Sequence, residues 1–293
     1  MTDRQTDRHA YLIMCHNNFY ILCKLLTALD DNRNDIYIHV DKKAKDCPYE
    51  TIKDSITNAS LYFVKRFSVN WGGYSQIRAE LALLDTATKS YHDYYHLISG
   101  VDLPLKTQDY IHNYFQEHSG SEFIRYDPNI SREIEFQDRI RYYYFLQEFI
   151  GRNKGKLAAL CYIMQTSMLS FQKKLNIDRL KRCPIKIYKG TNWFSITHNM
   201  ATFLLKKQKM IKRLCNYGLA ADEIFVQTMA IQSPYRENIV NDSLRYIDWK
   251  RGNPYTFTVE DYEELRGTDR LFARKFDEKT CIEIVDKLCD HIF

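Results

Sequence analysis

A chain of 293 residues with 45% hydrophobic and 27% charged side chains has an ordinary globular composition and is long enough for one large core. Ten glycines and six prolines, with no internal repeat, leave no low-complexity tract that would serve as a flexible linker. The net charge is only +5, and no run of about 20 apolar residues offers a membrane span.

The opening "MTDRQTDRHAYLIMCHNN" is charged before its first apolar run, and that run is too short and too soon polar for a signal peptide. The eight cysteines form no CxxC pair and show no metal-type spacing with histidine, so mostly buried thiols and a cytoplasmic location are expected. Residues 10–16 predict a buried strand, 19–30 a helix, 35–41 a second strand and 60–66 a third. A helix follows over 75–90, then strands over 93–100 and 122–127. Strands separated by helices imply a parallel sheet of nucleotide-binding type. Residues 129–189 read as mainly helical and basic. "GTNWFSITHNMATFLLKKQ" starts a strand that turns into a helix; a helix at 222–233, a strand at 244–249 and a helix at 278–291 complete one α/β unit.

Charge is unevenly spread. Between Gly151 and Gly190 ten basic residues face one acid, Asp178, a local +9 that leaves the remainder near −4. The same segment holds "LAALCYIMQTSMLSF", apolar and of helix length. It reads first as a core helix flanked by solvated lysines, with a basic helix resting on an anionic membrane surface as the alternative. No nucleic-acid partner is expected, since no such motif occurs and the acidic remainder would repel phosphate.

The motifs begin with absences. There is no GxxxxGK[ST] loop, no GxGxxG and no GxSxG elbow. No Asp-x-Asp occurs either, which removes a common way for a sugar transferase to hold a divalent metal. "IYIHVDKK" (36–43) carries a buried strand into His39, Asp41 and two lysines, and ligands of open α/β sheets sit at that carboxyl edge. "VNWGGYSQIRAE" (69–80) sets Trp71, Gly72 and Gly73 before a helix start suited to an anion. "HLISGVDLPLKT" (96–107) ends a strand in Ser99 and places Asp102 beyond it. In "GLAADEIFVQT" (218–228), Asp222 and Glu223 fit macrodipole compensation or, for one of them, a general base. "DRLFARKFDEK" (269–279) sets Arg274 and Lys275 where they could pair with Asp277 and Glu278 or face a phosphate.

Taken in order, "AYLIMCHNN", "IYIHVDKK", "VNWGGYSQIRAELALL", "YYHLISGVDLPLKT", "GTNWFSIT", "ADEIFVQT", "LRYIDW" and "LFARKFD" resemble the core-2/I-branching glycosyltransferases, relatives of the peptide xylosyltransferases, from about residue 10 to 278. The chain looks like a bacterial member without the Golgi-type anchor. The resemblance implies a GT-A type fold of α/β class with a Rossmann-like, mainly parallel sheet and a basic helical insertion. One catalytic domain over 1–293 would divide into a nucleotide-binding half (1–127), a basic helical segment (128–189) and an acceptor and catalytic-base half (190–293).

The same resemblance implies an inverting transfer from a UDP-sugar to a hydroxyl of a glycan or lipid-linked oligosaccharide acceptor. No metal or other cofactor is implied, because basic side chains neutralise the diphosphate. Glu223 matches the catalytic base and Lys275 the diphosphate lysine, with Arg245, or else Arg251, as its arginine partner. His39, Val40 and Asp41 match the nucleotide-binding strand end, and Trp71 and Gly72 the loop beside it. Ser99 and Asp102 fall near the donor sugar and Trp193 on the acceptor side. Synthesis of a bacterial surface polysaccharide or glycolipid is the expected role, at the inner face of a membrane that residues 151–190 could touch. An inactive glycan- or nucleotide-binding protein of the same fold is the alternative.

Overall fold

The computed structural model describes residues 7–128, 134–152, 155–183 and 185–292. In chain order its elements are β1 (His9–Cys15), α1 (Phe19–Ala28), β2 (Asn34–Val40), α2 (Tyr49–Asp54), β3 (Ser60–Phe63), α3 (Tyr74–Ala87), β4 (Tyr94–Ser99) and β5 (Asp102–Pro104). Next come α4 (Gln108–Glu117), β6 (Glu122–Tyr126), α5 (Ile134–Arg141), α6 (Gln147–Ile150), α7 (Lys156–Lys174), β7 (Gly190–Thr197), α8 (His198–Lys206) and α9 (Gln208–Cys215). The last are α10 (Asp222–Ile231), β8 (Ile239–Val240), β9 (Arg245–Ile247), α11 (Tyr262–Gly267), β10 (Phe272–Arg274) and α12 (Glu283–Ile292).

Among the described residues seven strands form one sheet in the order β3-β2-β1-β4-β7-β6-β8. β1 pairs in parallel with β2 and β4, and β2 with β3, as the strand–helix alternation requires. The α/β class and mainly parallel sheet are therefore as expected. β7 departs from it, running antiparallel to both β4 and β6. The reason lies in the helical segment between β6 and β7, which leaves and re-enters the sheet at one edge. There Tyr126 pairs with Gly190, and the Asp127 amide donates to the Lys189 carbonyl at 2.8 Å. An excursion that closes on itself must return as an antiparallel strand, and it leaves α5–α7 at the sheet's carboxyl edge.

Side chains alternate across the central strands and build two apolar layers. Ala10, Leu12, Tyr37 and Leu97 face α3 and α8–α10, whereas Tyr11, Ile13, Ile36, Ile38 and Val40 face α1, α4 and α12. A second sheet, β5-β10-β9, packs into the latter layer through Leu103, Phe272 and Ala273. Its three-residue strands are shorter than the reading of 244–249, and β5 and β10 carry no periodicity that a sequence could show. The last helix starts at Glu283 and not at 278, because the chain turns at Asp277, where Thr280 and Cys281 amides donate to the Asp277 carbonyl.

Candidate active site

Parallel strands deliver their last residues to one edge, and a cleft of about 1290 Å³ opens there. Cys15 ends β1, Asp41 follows β2 and Ser99 ends β4; all three line it. At the tip of β2 the Asp41 amide donates to the Cys15 carbonyl, and the Asp41 carboxylate accepts from the Lys43 amide at 2.8 Å. Lys43 reaches back to the Val69 carbonyl and Asn70 Oδ1. His39 is buried, its Nε2 accepts from the Phe67 amide at 3.4 Å, and desolvation holds its pKa below the ordinary value. Val40 points into the core and adds no cleft surface.

The WGG turn is built tightly. Gly72 has φ +73°, a conformation that disfavours side chains, and its carbonyl accepts from the Ala220 amide at 2.8 Å. A Cβ on Gly73 would lie 2.6 Å from the Glu148 carboxylate. That carboxylate accepts from the Ser75 amide and hydroxyl, both at 2.8 Å. The electropositive start of α3, expected to suit a bound anion, therefore already holds the chain's own Glu148. Trp71 stays half-exposed on the cleft wall with the Arg152 guanidinium 5.1 Å from its ring centre.

α10 begins at Asp222 with no side-chain cap and puts two adjacent acids at the cleft. Glu223 is part-exposed, and its Oε2 accepts from Arg139 Nη1 at 2.7 Å. Asp222 is buried, accepts from Gln76 Nε2 at 3.1 Å and leaves Oδ1 without a partner among the described residues. Burial, then the charge of Glu223, pushes its pKa up to about 7. Behind it Glu80 is wholly buried with neither oxygen hydrogen-bonded, and desolvation followed by Asp222 raises its pKa well above the carboxylate range. Two acids here, Asp222 and Glu80, are thus held towards the neutral form, whereas Glu223 is paired with the Arg139 guanidinium.

Arg274 supplies the opposite sign. It ends β10 directly across from Asp102 on β5, a cross-strand pair. Its Nη1 donates to Asp102 Oδ1 at 2.9 Å and to Ser99 Oγ at 2.8 Å, while the guanidinium lies 4.3 Å from the Trp193 ring centre. Asp102 is wholly buried and also accepts from the Ser99 amide, so it touches the cleft only through Arg274 and Ser99. Arg274 and Trp193 both line the cleft. Lys43, Arg125, Arg139, Arg152 and Lys189 join Arg274 there, six cations against Asp41, Asp127, Asp222 and Glu223.

The geometry is that of a cleft with an acid on a helix start, clamped cations and an aromatic wall at a switch between parallel and antiparallel strands. Residues 9–267 match the family model described as core-2/I-branching enzyme. The chain belongs to the core-2/I-branching enzyme family. Its relatives include xylosyltransferase 2 of Rattus norvegicus, 22% identical across 98% of this chain and 34% of that protein. The N-acetyllactosaminide beta-1,6-N-acetylglucosaminyl-transferase of Homo sapiens is 26% identical across 94% of this chain and 71% of its own length. The family is one of glycosyltransferases. The chain spans about a third of the length of the xylosyltransferases it matches. Among solved structures, mouse xyloside xylosyltransferase 1 in its apo form aligns with a TM-score of 0.39 at 9% identity, covering 90% of this chain and 96% of that one.

This core-2/I-branching chain gathers His39, Asp41, Trp71, Ser99, Trp193 and Glu223 on one cleft. Val40, Gly72, Asp102, Arg245, Arg251 and Lys275 are not among its lining residues. Arg245 is engaged elsewhere. Its guanidinium donates to Ser195 Oγ, to the Leu97 and Phe194 carbonyls at 3.1 and 2.8 Å, and to the Ser243 carbonyl. Arg251 is tied to Asp248, Asp261 and Glu264 and covers the Tyr255 ring. Lys275, next in the chain to Arg274, is part-exposed. Asp277 and Glu278 do not neutralise the pair: Asp277 accepts from the Lys279 amide, and Glu278 caps α1 by accepting from the Tyr20 and Ile21 amides. Arg139, Lys43 and Gln76 carry no local signal in the sequence, because each owes its place to a partner far along the chain, and Glu80 carries none because only the packing around α3 buries it. A further set, Asp7, His9 and His112, has metal-ligand types within 4.8 Å of one another. It lies at the amino end of β1, about 20 Å of strand from the cleft.

Proposed function

We propose that this chain transfers a sugar from a UDP-sugar to a hydroxyl of an acceptor glycan, with inversion at the anomeric carbon and without a divalent metal. The observation that carries the reading is one cleft holding the Glu223 carboxylate, bonded to Arg139, beside an Asp222 that burial holds towards the neutral form, together with the clamped guanidinium of Arg274.

Glu223 accepts the proton of the acceptor hydroxyl as that oxygen bonds to the anomeric carbon. The bond from that carbon to the β-phosphate oxygen breaks on the opposite face, and UDP leaves with the electron pair. Negative charge grows on the diphosphate as this happens, so cations fixed in advance stabilise the transition state more than the ground state. Arg274 takes that task with Lys275 beside it, in place of Arg245 or Arg251. Asp102 acts through Arg274, holding its fork, and does not meet the sugar itself. Arg139 orients Glu223, and Asp222, neutral up to about pH 7, spares the base a second adjacent charge. His39, Asp41 and Trp71 receive the uridine half, and Trp193 carries the acceptor. The lack of Asp-x-Asp supports cation side chains in place of a metal. The names of the relatives favour a pentosyl or N-acetylhexosaminyl donor. The acceptor is a glycan or lipid-linked oligosaccharide, in surface polysaccharide or glycolipid synthesis at the inner face of a bacterial membrane.

The test is turnover of a UDP-sugar panel with glycan acceptors in EDTA, with the product's anomeric configuration read by NMR. Inverted product, and its loss in Glu223→Gln with UDP binding retained, support the reading. A requirement for Mn2+, or retained configuration, overturns it.

A further inference from the structure

Helix α7 is packed the wrong way out for a core helix. Its inward line is Ala158, Cys161, Gln165, Leu169 and Gln172, small or polar for the most part, with Ala158, Gln165 and Gln172 buried. The glutamines serve as pegs: Gln165 Oε1 accepts from the Leu146 amide at 3.0 Å, and Gln172 accepts from the Tyr143 amide and donates to its carbonyl. A second line, Leu157, Leu160, Met164, Met168, Phe171 and Leu175, repeats at spacings of three and four and therefore forms one stripe. Every member is exposed, Leu157 to 70% and Phe171 to 61%. Ile163, next to the stripe, is 62% exposed. An apolar stripe of this length left in water marks an interaction surface. The expectation of a core helix is overturned, because the face that could have packed inward is the polar one.

The chemistry of the occupant follows from charge. Lys156 and Lys174 stand exposed at the two ends of α7, and Arg152 precedes it. The one acid of residues 151–190 is Asp178. Its carboxylate accepts from the Leu180 amide and lies 3.7 Å from Arg141. Two copies of this surface would bring their cations together, whereas an anionic bilayer offers apolar depth under negative headgroups. No described helix is long and apolar enough to cross a membrane, so the fit is to lying on the surface. α6, packed on α7, links it to the cleft: it carries Phe149, 60% exposed, and Gln147 donates to the Trp71 carbonyl at 3.0 Å.

We propose that α7 is a membrane-docking helix that lays its apolar stripe into an anionic bilayer surface and holds the Trp71 side of the cleft against it. The docking stands apart from the reading of the cleft's chemistry, and its test uses no turnover. The full chain is floated with vesicles of phosphatidylcholine alone and of phosphatidylcholine with about a third phosphatidylserine. Three proteins are compared: wild type, Leu160→Asp with Phe171→Asp, and Lys156→Gln with Lys174→Gln, each with its unfolding midpoint and its mass in solution measured. The expected result is binding by wild type to the anionic vesicles alone, lost in the aspartate variant at unchanged midpoint. Each lysine neutralised weakens partitioning about fivefold. No flotation by wild type, or flotation that the aspartates leave intact, overturns the proposal. A wild-type dimer that the aspartates dissociate, without vesicle binding, overturns it in favour of a second copy of the chain.

Discussion

Arg274 lies with its guanidinium 4.3 Å from the centre of the Trp193 ring, joining the end of β10 to the middle of β7 across the two sheets. Asp102 and Ser99 both accept from its Nη1. A guanidinium stacked and clamped in this way is preorganised, and a lysine lacks the planar group that stacks on the Trp193 ring. Arg274→Ala is expected to lower kcat by about 100- to 1000-fold, the cost of losing one preorganised donor, and Arg274→Lys to recover little of it. Steady-state kinetics of Arg274→Ala, Trp193→Ala and the double variant check this, with coupling between the two expected because they touch.

The two arginines of the small-sheet region should behave in a different way. Arg245→Met removes four hydrogen bonds from a buried guanidinium and leaves carbonyls unpaired, at a cost of at least about 2–3 kcal/mol. Its effect is expected in the denaturation midpoint, with UDP affinity unchanged wherever the variant is folded. Arg251→Ala, in a part-exposed ion network that reaches the buried Asp261, should lower the midpoint modestly and leave UDP affinity unchanged. A loss of UDP affinity in either folded variant would restore it as a diphosphate ligand.

How much of this was legible in the sequence varies with distance along the chain. β1, β2 and β4 are readable because short runs rich in β-branched and aromatic residues, separated by helix-length segments, favour buried strands, and the polar tips at His39, Asp41 and Ser99 mark the cleft edge. Which of Arg274 and Lys275 faces the cleft was not, since both fit the same local pattern. The register of the three-residue β10 against Asp102 decides it. Arg245 looked available because its four partners lie in Leu97, Phe194, Ser195 and Ser243, most of them far away in sequence. α7 showed its apolar content but not its orientation, which Gln165 and Gln172 set by bonding the backbone of 143–146.

Stability should depend on pH through the buried acids. Folding raises Asp222 from its ordinary 3.8 to about 7, and burial raises Glu122 from 4.5 to about 7 against the bonds from Thr197. On these two acids the folded chain keeps protons that the unfolded chain has released between about pH 4 and 7, so their contribution to stability is largest at the acid end of that window and falls as pH rises through it, against the opposite contribution of the buried His9, His39, His96 and His112, whose pKa values burial lowers. Asp222→Asn removes the Asp222 share and Glu80→Gln that of Glu80, so each variant should gain stability relative to wild type as pH rises across the window. Thermal midpoints of wild type and variants across this range test the sign; a wild-type-to-variant difference that does not change with pH, or that changes in the opposite direction, contradicts it.

Glu223→Gln and Asp222→Asn separate base from neighbour. Losing the general base should cost about 100- to 10,000-fold in kcat with KM for the donor little changed. Asp222→Asn keeps a neutral group of the same shape and should retain most activity below about pH 7, with its largest effect above that point. Pre-steady-state and steady-state rates across pH distinguish the two.

The central claim is a UDP site built from cation side chains, and thermal unfolding with UDP in the presence of EDTA tests it most directly. Ligand that binds only the folded state raises the midpoint as its concentration exceeds the dissociation constant. The account predicts a rise for wild type that survives EDTA, shrinks in Arg274→Ala and persists in Glu223→Gln. No rise with any uridine nucleotide, or a rise that EDTA abolishes, contradicts it.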